Sequence, residues 1–112
     1  MFLQRILEAK RAEVEERKVA LPLPELRRRL QNSPPPLNFE AALRSRPRAL
    51  IAEVKRSSPS RGRIREDFDP VAIARAYEEG GAAAVSVLTE EKFFEGRDSF
   101  LRDIRRHVAL PL

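Results

Sequence analysis

Two charged side chains of opposite sign, Glu53 and Lys55, lie two residues apart at the end of a short and mostly apolar run, residues 49–54. The run is short and has no helical stripe, so it predicts a buried β-strand. Because side chains alternate across a strand, one face is predicted to be wholly apolar. That face consists of Leu50, Ala52 and Val54. Glu53 and Lys55 share the opposite face at the C-terminal end of the strand, where parallel α/β folds present catalytic groups.

The same two charges would also fit a solvated ion pair on the exposed side of an edge strand. The residues that follow favour a site instead. Residues 57–62, Ser-Ser-Pro-Ser-Arg-Gly, are a polar stretch with hydroxyls and cations, and they are not the tight turn that an edge hairpin needs. We therefore predict a loop that lies over a site at the end of this strand.

Residues 51–60, Ile-Ala-Glu-Val-Lys-Arg-Ser-Ser-Pro-Ser, resemble the signature segment of indole-3-glycerol phosphate synthase, the ring-closing enzyme family of tryptophan synthesis. Residues 89–96 resemble the same family, because an acidic stretch there leads to two aromatics and a glycine. The resemblance covers residues 49–112 and, more loosely, the residues before them. It implies an α/β fold, namely the N-terminal part of a TIM (β/α)₈ barrel, preceded by a helical extension that lies over the barrel mouth.

The resemblance also implies a reaction, catalysed by a lyase without a cofactor or a metal. The small phosphorylated substrate, 1-(2-carboxyphenylamino)-1-deoxyribulose 5-phosphate, would become indole-3-glycerol phosphate with loss of CO₂ and water. By position in the motif, Glu53 would hold substrate hydroxyls and tune neighbouring lysines, and Lys55 would meet the anthranilate carboxylate or donate a proton. A lysine suits both tasks, because ring closure needs a cation beside the departing carboxylate and an acid for a carbonyl oxygen.

Two more residues receive roles from the same resemblance. Ser58 would lie near the substrate phosphate, and Phe94 would line the aromatic pocket. The alternative for Phe94 and its neighbour Phe93 is a small core under the loop. For one of the two, packing against an aromatic substrate is the better interpretation.

Part of the family's catalytic set is missing from these residues. In the resembled family the principal general-acid lysine comes at the end of the third strand, and the general-base glutamate and the main phosphate-binding loops come later. The length agrees, since 112 residues are far fewer than the roughly 250 of a complete barrel. We therefore expect a fragment that is inactive alone and that can pair with the missing barrel portion or with itself.

The elements that position these residues follow from patterning. A helical extension is predicted over residues 1–46. Apolar residues at helical spacing predict a first helix over residues 2–19, Pro24 can begin a second helix, and Asn38 predicts the cap of a third helix that continues through Arg44.

Residues 47–112 are predicted to hold the first strands and helices of the barrel: strand, helix, strand, helix and the start of a third strand. The predicted strands are residues 49–54, 82–88 and 108–112, and the predicted helices run from Asp69-Pro70 to Gly80 and from Asp98 or Ser99 to His107. Residues 55–68 and 89–96 are predicted as loops. This alternation predicts parallel strands.

The charge of the chain leaves two other functions open. The net charge is +5, and 18 of the 22 basic residues are Arg, which suits phosphate or carboxylate recognition. The Arg triplet at residues 27–29 has no interleaved aromatics, so we expect a solvated helix face and no nucleic-acid partner. The alternatives are a basic anion- or nucleic-acid-binding module and a self-assembling structural fragment, since a barrel cut open has unpaired strand edges.

The composition also excludes several classes of protein. There is no cysteine, so a disulfide framework and a thiolate metal site are excluded. No apolar run reaches the roughly 18 residues that a membrane span needs, and the N-terminus has no signal-peptide core. These features predict a cytoplasmic protein with no membrane partner.

Overall fold

The computed structural model describes residues 2–112, and the chain divides into two compact units between Pro35 and Pro36. The first unit contains α1 (Phe2–Ala20) and α2 (Leu23–Leu30). Both are surface helices without a buried residue. The predicted helix over residues 2–19 is confirmed, and the second helix has Pro24 in its first turn as expected.

The second unit carries all the strands described. Its elements in chain order are α3 (Phe39–Arg44), β1 (Ile51–Val54), β2 (Ser57–Ser58), β3 (Gly62–Arg63), α4 (Pro70–Glu79), β4 (Ala84–Val87), α5 (Glu91–Phe94) and α6 (Ser99–Arg105). The predicted cap of α3 is present, because the Asn38 side chain accepts a hydrogen bond from Ala41 N at 2.9 Å.

A parallel pair of strands, β1 and β4, organises the second unit. Ala52 is in register with Val85, and Val54 with Val87. Helix α4 connects the two strands, which confirms the predicted α/β alternation over this stretch. Because the strands are parallel, their C-terminal ends and the loops that follow them lie at the same edge.

Helices α4 and α6 pack together, and α4 also contacts β1. The buried cluster that results contains Val54, Ala74, Val85, Ile104 and Val108. The helix start at Asp69-Pro70 is as predicted, since the Asp69 carboxylate accepts from Ala72 N at 3.1 Å. These contacts fix the orientation of β1, and through it the direction of the side chains on its two faces.

The apolar face predicted for β1 is buried only in part. Ala52 and Val54 are buried, whereas Leu50 is 65% exposed. The strand begins at Ile51, so Leu50 lies outside the regular alternation. The prediction that Leu50 belongs to the buried face is therefore wrong.

The two predicted loops contain short elements that periodicity does not reveal. β2 and β3 form an antiparallel hairpin within the first loop, and Gly62 has the left-handed φ of 64° at the start of β3. The second loop contains the four-residue helix α5. Each element is shorter than a periodic pattern can report.

The predicted third strand at residues 108–112 is absent from the structure. Val85 N donates to Pro111 O at 2.9 Å, but Pro111 has no N–H with which to continue a ladder. Side chains bind the neighbouring backbone groups: Glu78 accepts from Ala109 N at 2.8 Å, and Arg105 donates to Leu110 O at 2.7 Å. These side-chain bonds occupy groups that a strand would use for pairing.

The helices in residues 2–112 are all too short or too polar to cross a lipid bilayer.

Candidate active site

Glu53 and Lys55 meet at the C-terminal end of β1, as the strand alternation predicts. Lys55 Nζ lies 2.9 Å from Glu53 Oε1, and the two side chains remain 33% and 44% exposed respectively. The Tyr77 hydroxyl donates to the Glu53 carbonyl oxygen at 2.8 Å, which ties α4 to the backbone of this residue. A partly exposed pair of this kind contributes only about 0–1 kcal/mol to stability. The pair is therefore accessible to a ligand and is not needed to hold the fold together.

Ser86 lies beside Glu53 on the neighbouring strand, β4. It is in register with Glu53, and paired residues on parallel strands place their side chains on the same face of the sheet. Ser86 is partly buried. Its hydroxyl belongs to the same face of the sheet as the Glu53 side chain, and Ser86 is not among the site residues predicted from the sequence. The alternation of Val85, Ser86 and Val87 is the signal that would have found it.

Ser58 lies in the hairpin that follows β1. Its hydroxyl oxygen accepts a hydrogen bond from Arg61 N at 3.2 Å and lies 3.5 Å from Ser60 Oγ. The hairpin is closed by a hydrogen bond from Ile64 N to Arg56 O at 2.8 Å. Arg61 N thus occupies one lone pair of the Ser58 hydroxyl, and in the contact with Ser60 either oxygen can be the donor.

Phe94 is the last residue of α5, in the loop that follows β4. Its side chain is partly buried, and α5 packs beside β2, the strand that contains Ser58. The loops after β1 and β4 are thus in contact, and they bring the elements of Ser58 and Phe94 together. Phe93 differs in that Lys92 Nζ lies 5.6 Å from its ring centroid, within the range of a cation–π contact.

An ion pair between Arg63 and Glu95 joins the same two loops. Arg63 Nε and Nη2 donate to the two Glu95 oxygens at 3.1 and 2.8 Å. Hydrogen bonds from Arg63 lower the pKa of the Glu95 carboxyl below its usual value, with a smaller contribution from Ser57 and from the charge of Arg56. The same carboxylate raises the pKa of Arg63. Both groups therefore stay charged across the neutral range.

Arg56 is held against an aromatic pair beside this link. Its guanidinium carbon lies 5.9 Å from the ring centroid of Phe68, and that ring packs on Phe100 with centroids 5.6 Å apart. The side chain contributes positive charge near Glu95. Arg56 is the residue that directly follows Lys55, so this contact also restrains the backbone of the candidate site.

Gly96 closes the loop after β4 by a close backbone approach. A Cβ atom at this position would lie 2.2 Å from Leu88 O and 2.8 Å from Thr89 Cα. Gly96 N donates to Glu90 O at 2.8 Å. The loop can take this compact form only because residue 96 has no side chain.

Sequence reasoning identified the residues of the two strand ends and missed the residues that connect their loops. Glu53, Lys55, Ser58 and Phe94 all lie at or beyond the C-terminal ends of β1 and β4. Arg63 and Glu95 are 32 positions apart, and nothing in the sequence distinguishes them from other charged residues. In the part of the chain that the structure covers, no three His, Asp or Glu side chains are arranged to hold a metal ion.

Comparison with known proteins gives a uniform result. The sequence model of the family described as "Indole-3-glycerol phosphate synthase" matches residues 3–112. A protein of that name from Microcystis aeruginosa is 53% identical over 114 residues, which covers 99% of this chain and 38% of the relative. Proteins of the same name from Roseiflexus castenholzii and Geobacillus kaustophilus are 51% and 52% identical, each over 99% of this chain and over 43% and 41% of their own lengths. The chain thus spans about two fifths of the length of the curated relatives it matches.

Proposed function

The chain belongs to the indole-3-glycerol phosphate synthase family, and on that premise we propose that it supplies the first part of an enzyme that closes the indole ring of 1-(2-carboxyphenylamino)-1-deoxyribulose 5-phosphate. The reaction releases CO₂ and water and belongs to tryptophan biosynthesis. The enzyme is a lyase, and the proposed mechanism uses side-chain acids and bases without a cofactor. The observation that carries the proposal is the Glu53–Lys55 pair, 2.9 Å apart at the C-terminal end of a parallel strand.

The proposed architecture is the beginning of a (β/α)₈ barrel. In this proposal residues 1–46 are the helical extension, and residues 47–112 are the first two barrel strands with the helices that follow them. The parallel pair of β1 and β4, connected by α4, supports this proposal, because the same strand, helix, strand unit repeats around such a barrel. The exposed face of β1, which carries Ile51 and Glu53, corresponds to the barrel interior.

Lys55 carries the first chemical role. Its ammonium group binds the substrate carboxylate that leaves as CO₂, or donates a proton to the carbonyl oxygen that leaves as water. Glu53 accepts hydrogen bonds from substrate hydroxyls and orients Lys55. The 2.9 Å contact supports this division, since an ion pair holds the lysine ammonium group in place beside the carboxylate.

Ser58 and Phe94 bind the two ends of the substrate. The Ser58 hydroxyl donates to a phosphate oxygen once its hydrogen turns away from Ser60 Oγ, while Arg61 N donates to its lone pair. Phe94 packs against the anthranilate ring. The contact between α5 and β2 supports a single pocket for both residues.

The partner of the chain is therefore a small phosphorylated molecule in the cytoplasm. Nucleic acid is not a proposed partner, because many of the Arg residues already bind acidic neighbours. Examples are the contacts of Arg17 with Glu13, of Arg28 and Arg29 with Glu25, of Arg44 with Glu40 and of Arg63 with Glu95. Because each of these Arg residues is paired with a carboxylate, less net positive charge remains to bind the phosphate backbone of a nucleic acid.

The direct test is complementation. The 112-residue chain is assayed for indole-3-glycerol phosphate formation alone and with a separately produced remainder of the barrel, and its oligomeric state is followed by size-exclusion chromatography. We expect no turnover by the chain alone and turnover by the mixture, because catalytic groups that act as a unit lose most of their rate when some are missing. Turnover by the isolated chain would show that the catalytic set is complete within these residues. A mixture that associates and stays inactive would contradict the proposed reaction.

A further inference from the structure

The Glu90 carboxylate binds three consecutive backbone amides of the loop after β4. Oε1 accepts from Lys92 N at 3.0 Å, and Oε2 accepts from Phe93 N at 2.7 Å and from Phe94 N at 3.2 Å. These amides belong to the first turn of α5, whose backbone N–H groups have no acceptor within the helix. One side chain thus binds three of the four backbone amides of this helix.

Helix α5 needs such support because it is only four residues long. The first turn of a helix fixes several backbone angles for a single hydrogen bond, so an isolated turn is unstable. The far end of α5 is held by Glu95, whose left-handed φ of 51° turns the chain and whose N–H donates to Glu91 O. Glu90 acts at this end too, since its carbonyl oxygen accepts from Gly96 N at 2.8 Å.

We propose that Glu90 is a positioning residue that places Phe94 for contact with the aromatic ring of the substrate. The inference rests on the proposed function, in which Phe94 lines the pocket. Phe94 N is one of the three amides that Glu90 holds, so the carboxylate fixes the backbone from which the phenyl ring projects. Helix α5 packs beside β2, the strand that contains Ser58. Glu90 itself binds backbone and has no part in the chemistry.

A negative charge strengthens this arrangement. A carboxylate is favoured at the N-terminus of a helix, and hydrogen bonds to an ionised acceptor are about twice as strong as neutral ones. Gln at position 90 would offer one acceptor oxygen without charge, and Ala would offer none. We therefore expect Glu90→Ala to increase the exchange rate at residues 92–94 and KM more than Glu90→Gln does.

The chain offers a matched control next to it. Glu91 has the same charge and lies in the same short helix, and its side chain is exposed. Glu91→Ala removes an equal charge from the loop and leaves the three amide bonds intact. A difference in exchange rate or KM between Glu90→Ala and Glu91→Ala is therefore due to loss of the helix cap and not to the change in net charge.

The experiment combines two measurements. In the isolated 112-residue chain, amide hydrogen exchange is measured at residues 92–94, with the amide of Ala83, which donates to Leu50 O just before the strand pair, as an internal reference. We expect Glu90→Ala to accelerate exchange at residues 92–94 by about 5-fold or more, the usual scale for loss of an N-cap, and to leave Ala83 unchanged. In the complemented enzyme we expect the same variant to raise KM by about 3- to 10-fold with kcat little changed, because an aromatic packing contact is lost from the bound substrate.

The outcomes separate the positioning role from the proposed reaction. Faster exchange at residues 92–94 with KM no higher than in Glu91→Ala would overturn the positioning role, since the helix would loosen without consequence for binding. Unchanged exchange in Glu90→Ala would overturn it as well, because the cap would then be unnecessary. If the unsubstituted chain associates with the remainder of the barrel and the complex has no turnover, the proposed reaction itself is contradicted, and this inference falls with it.

Discussion

Substitution of Gly96 by Ala is expected to destabilise the loop after β4 by about 2–4 kcal/mol. The added Cβ would lie 2.2 Å from Leu88 O, 2.7 Å from Thr89 C and 2.8 Å from Thr89 Cα. All three atoms belong to the backbone, so no side chain can rotate to make room. Overpacking of this kind costs about 1–3 kcal/mol, and the displaced loop also loses the hydrogen bond from Gly96 N to Glu90 O, a further ~1 kcal/mol.

Two other glycines provide the comparison. At Gly80 the nearest atom to an added Cβ is Ala76 O at 3.3 Å and φ is −74°, so Gly80→Ala should cost less than about 1 kcal/mol. At Gly81 the Cβ would meet nothing within 4 Å, but φ is 92°, so Gly81→Ala should cost about 1–2 kcal/mol through backbone strain alone. Urea unfolding followed by circular dichroism gives the three free energies, and hydrogen exchange over residues 88–96 localises the effect. A Gly96→Ala variant as stable as Gly80→Ala would refute the steric argument.

Three further predictions concern the core, the loop link and a helix cap. Ile104 is fully buried, so Ile104→Ala should lower the free energy of unfolding by about 2–5 kcal/mol and Ile104→Val by about 0.5–1.5 kcal/mol; equal effects in urea unfolding would contradict the assigned core. The pKa of Glu95 is lowered by Arg63, so their link should persist below the ordinary Glu pKa and be lost as the pH falls through the lowered value; amide hydrogen exchange at Ile64, relative to the intrinsic rate at each pH, should then accelerate, and the same pH dependence in Glu95→Gln would disprove this. Asp69→Ala should cost about 1 kcal/mol because Ala72 N loses its acceptor, whereas Asp69→Asn should cost little in the same measurement.

The local signals of the sequence were sufficient for the longer elements. Helix α4 begins at Asp69-Pro70 and ends before Gly80 because a cap, a ring-fixed φ and a glycine each favour those positions independently. The same holds for Asn38 at the start of α3. The placement of Glu53 and Lys55 together required only the two-residue period of a strand. Local chemistry and the fold agree at all of these positions.

The remaining features depend on contacts between distant residues or on an unusual local cap. The hairpin of β2 and β3 is held to α5 by Arg63 and Glu95, and neither charge is identifiable as a partner from sequence. Helix α5 forms around the Glu90 side chain, although Glu is not a typical N-cap residue. Residues 108–112 have the composition of a strand, but Pro111 and the side chains of Glu78 and Arg105 prevent the ladder. Arg63 and Glu95 are 32 positions apart, and Glu78 and Ala109 are 31 apart, whereas the Glu90 cap is local and is missed because Glu is unusual at that position.

The central claim is that Glu53 and Lys55 act on the substrate. Its most direct test is the turnover of Lys55→Ala and Glu53→Gln in the complemented enzyme, with Glu40→Gln as the control, because Glu40 forms an ion pair of equal length, 2.9 Å, with Arg44 on an exposed helix. We predict that Lys55→Ala and Glu53→Gln each lower kcat by about two orders of magnitude or more. The free energy of unfolding in urea should change little in either variant, and Glu40→Gln should keep a kcat near that of the unsubstituted enzyme. Near-normal turnover in Lys55→Ala and Glu53→Gln would contradict the claim, and the pair would then be a solvated surface contact.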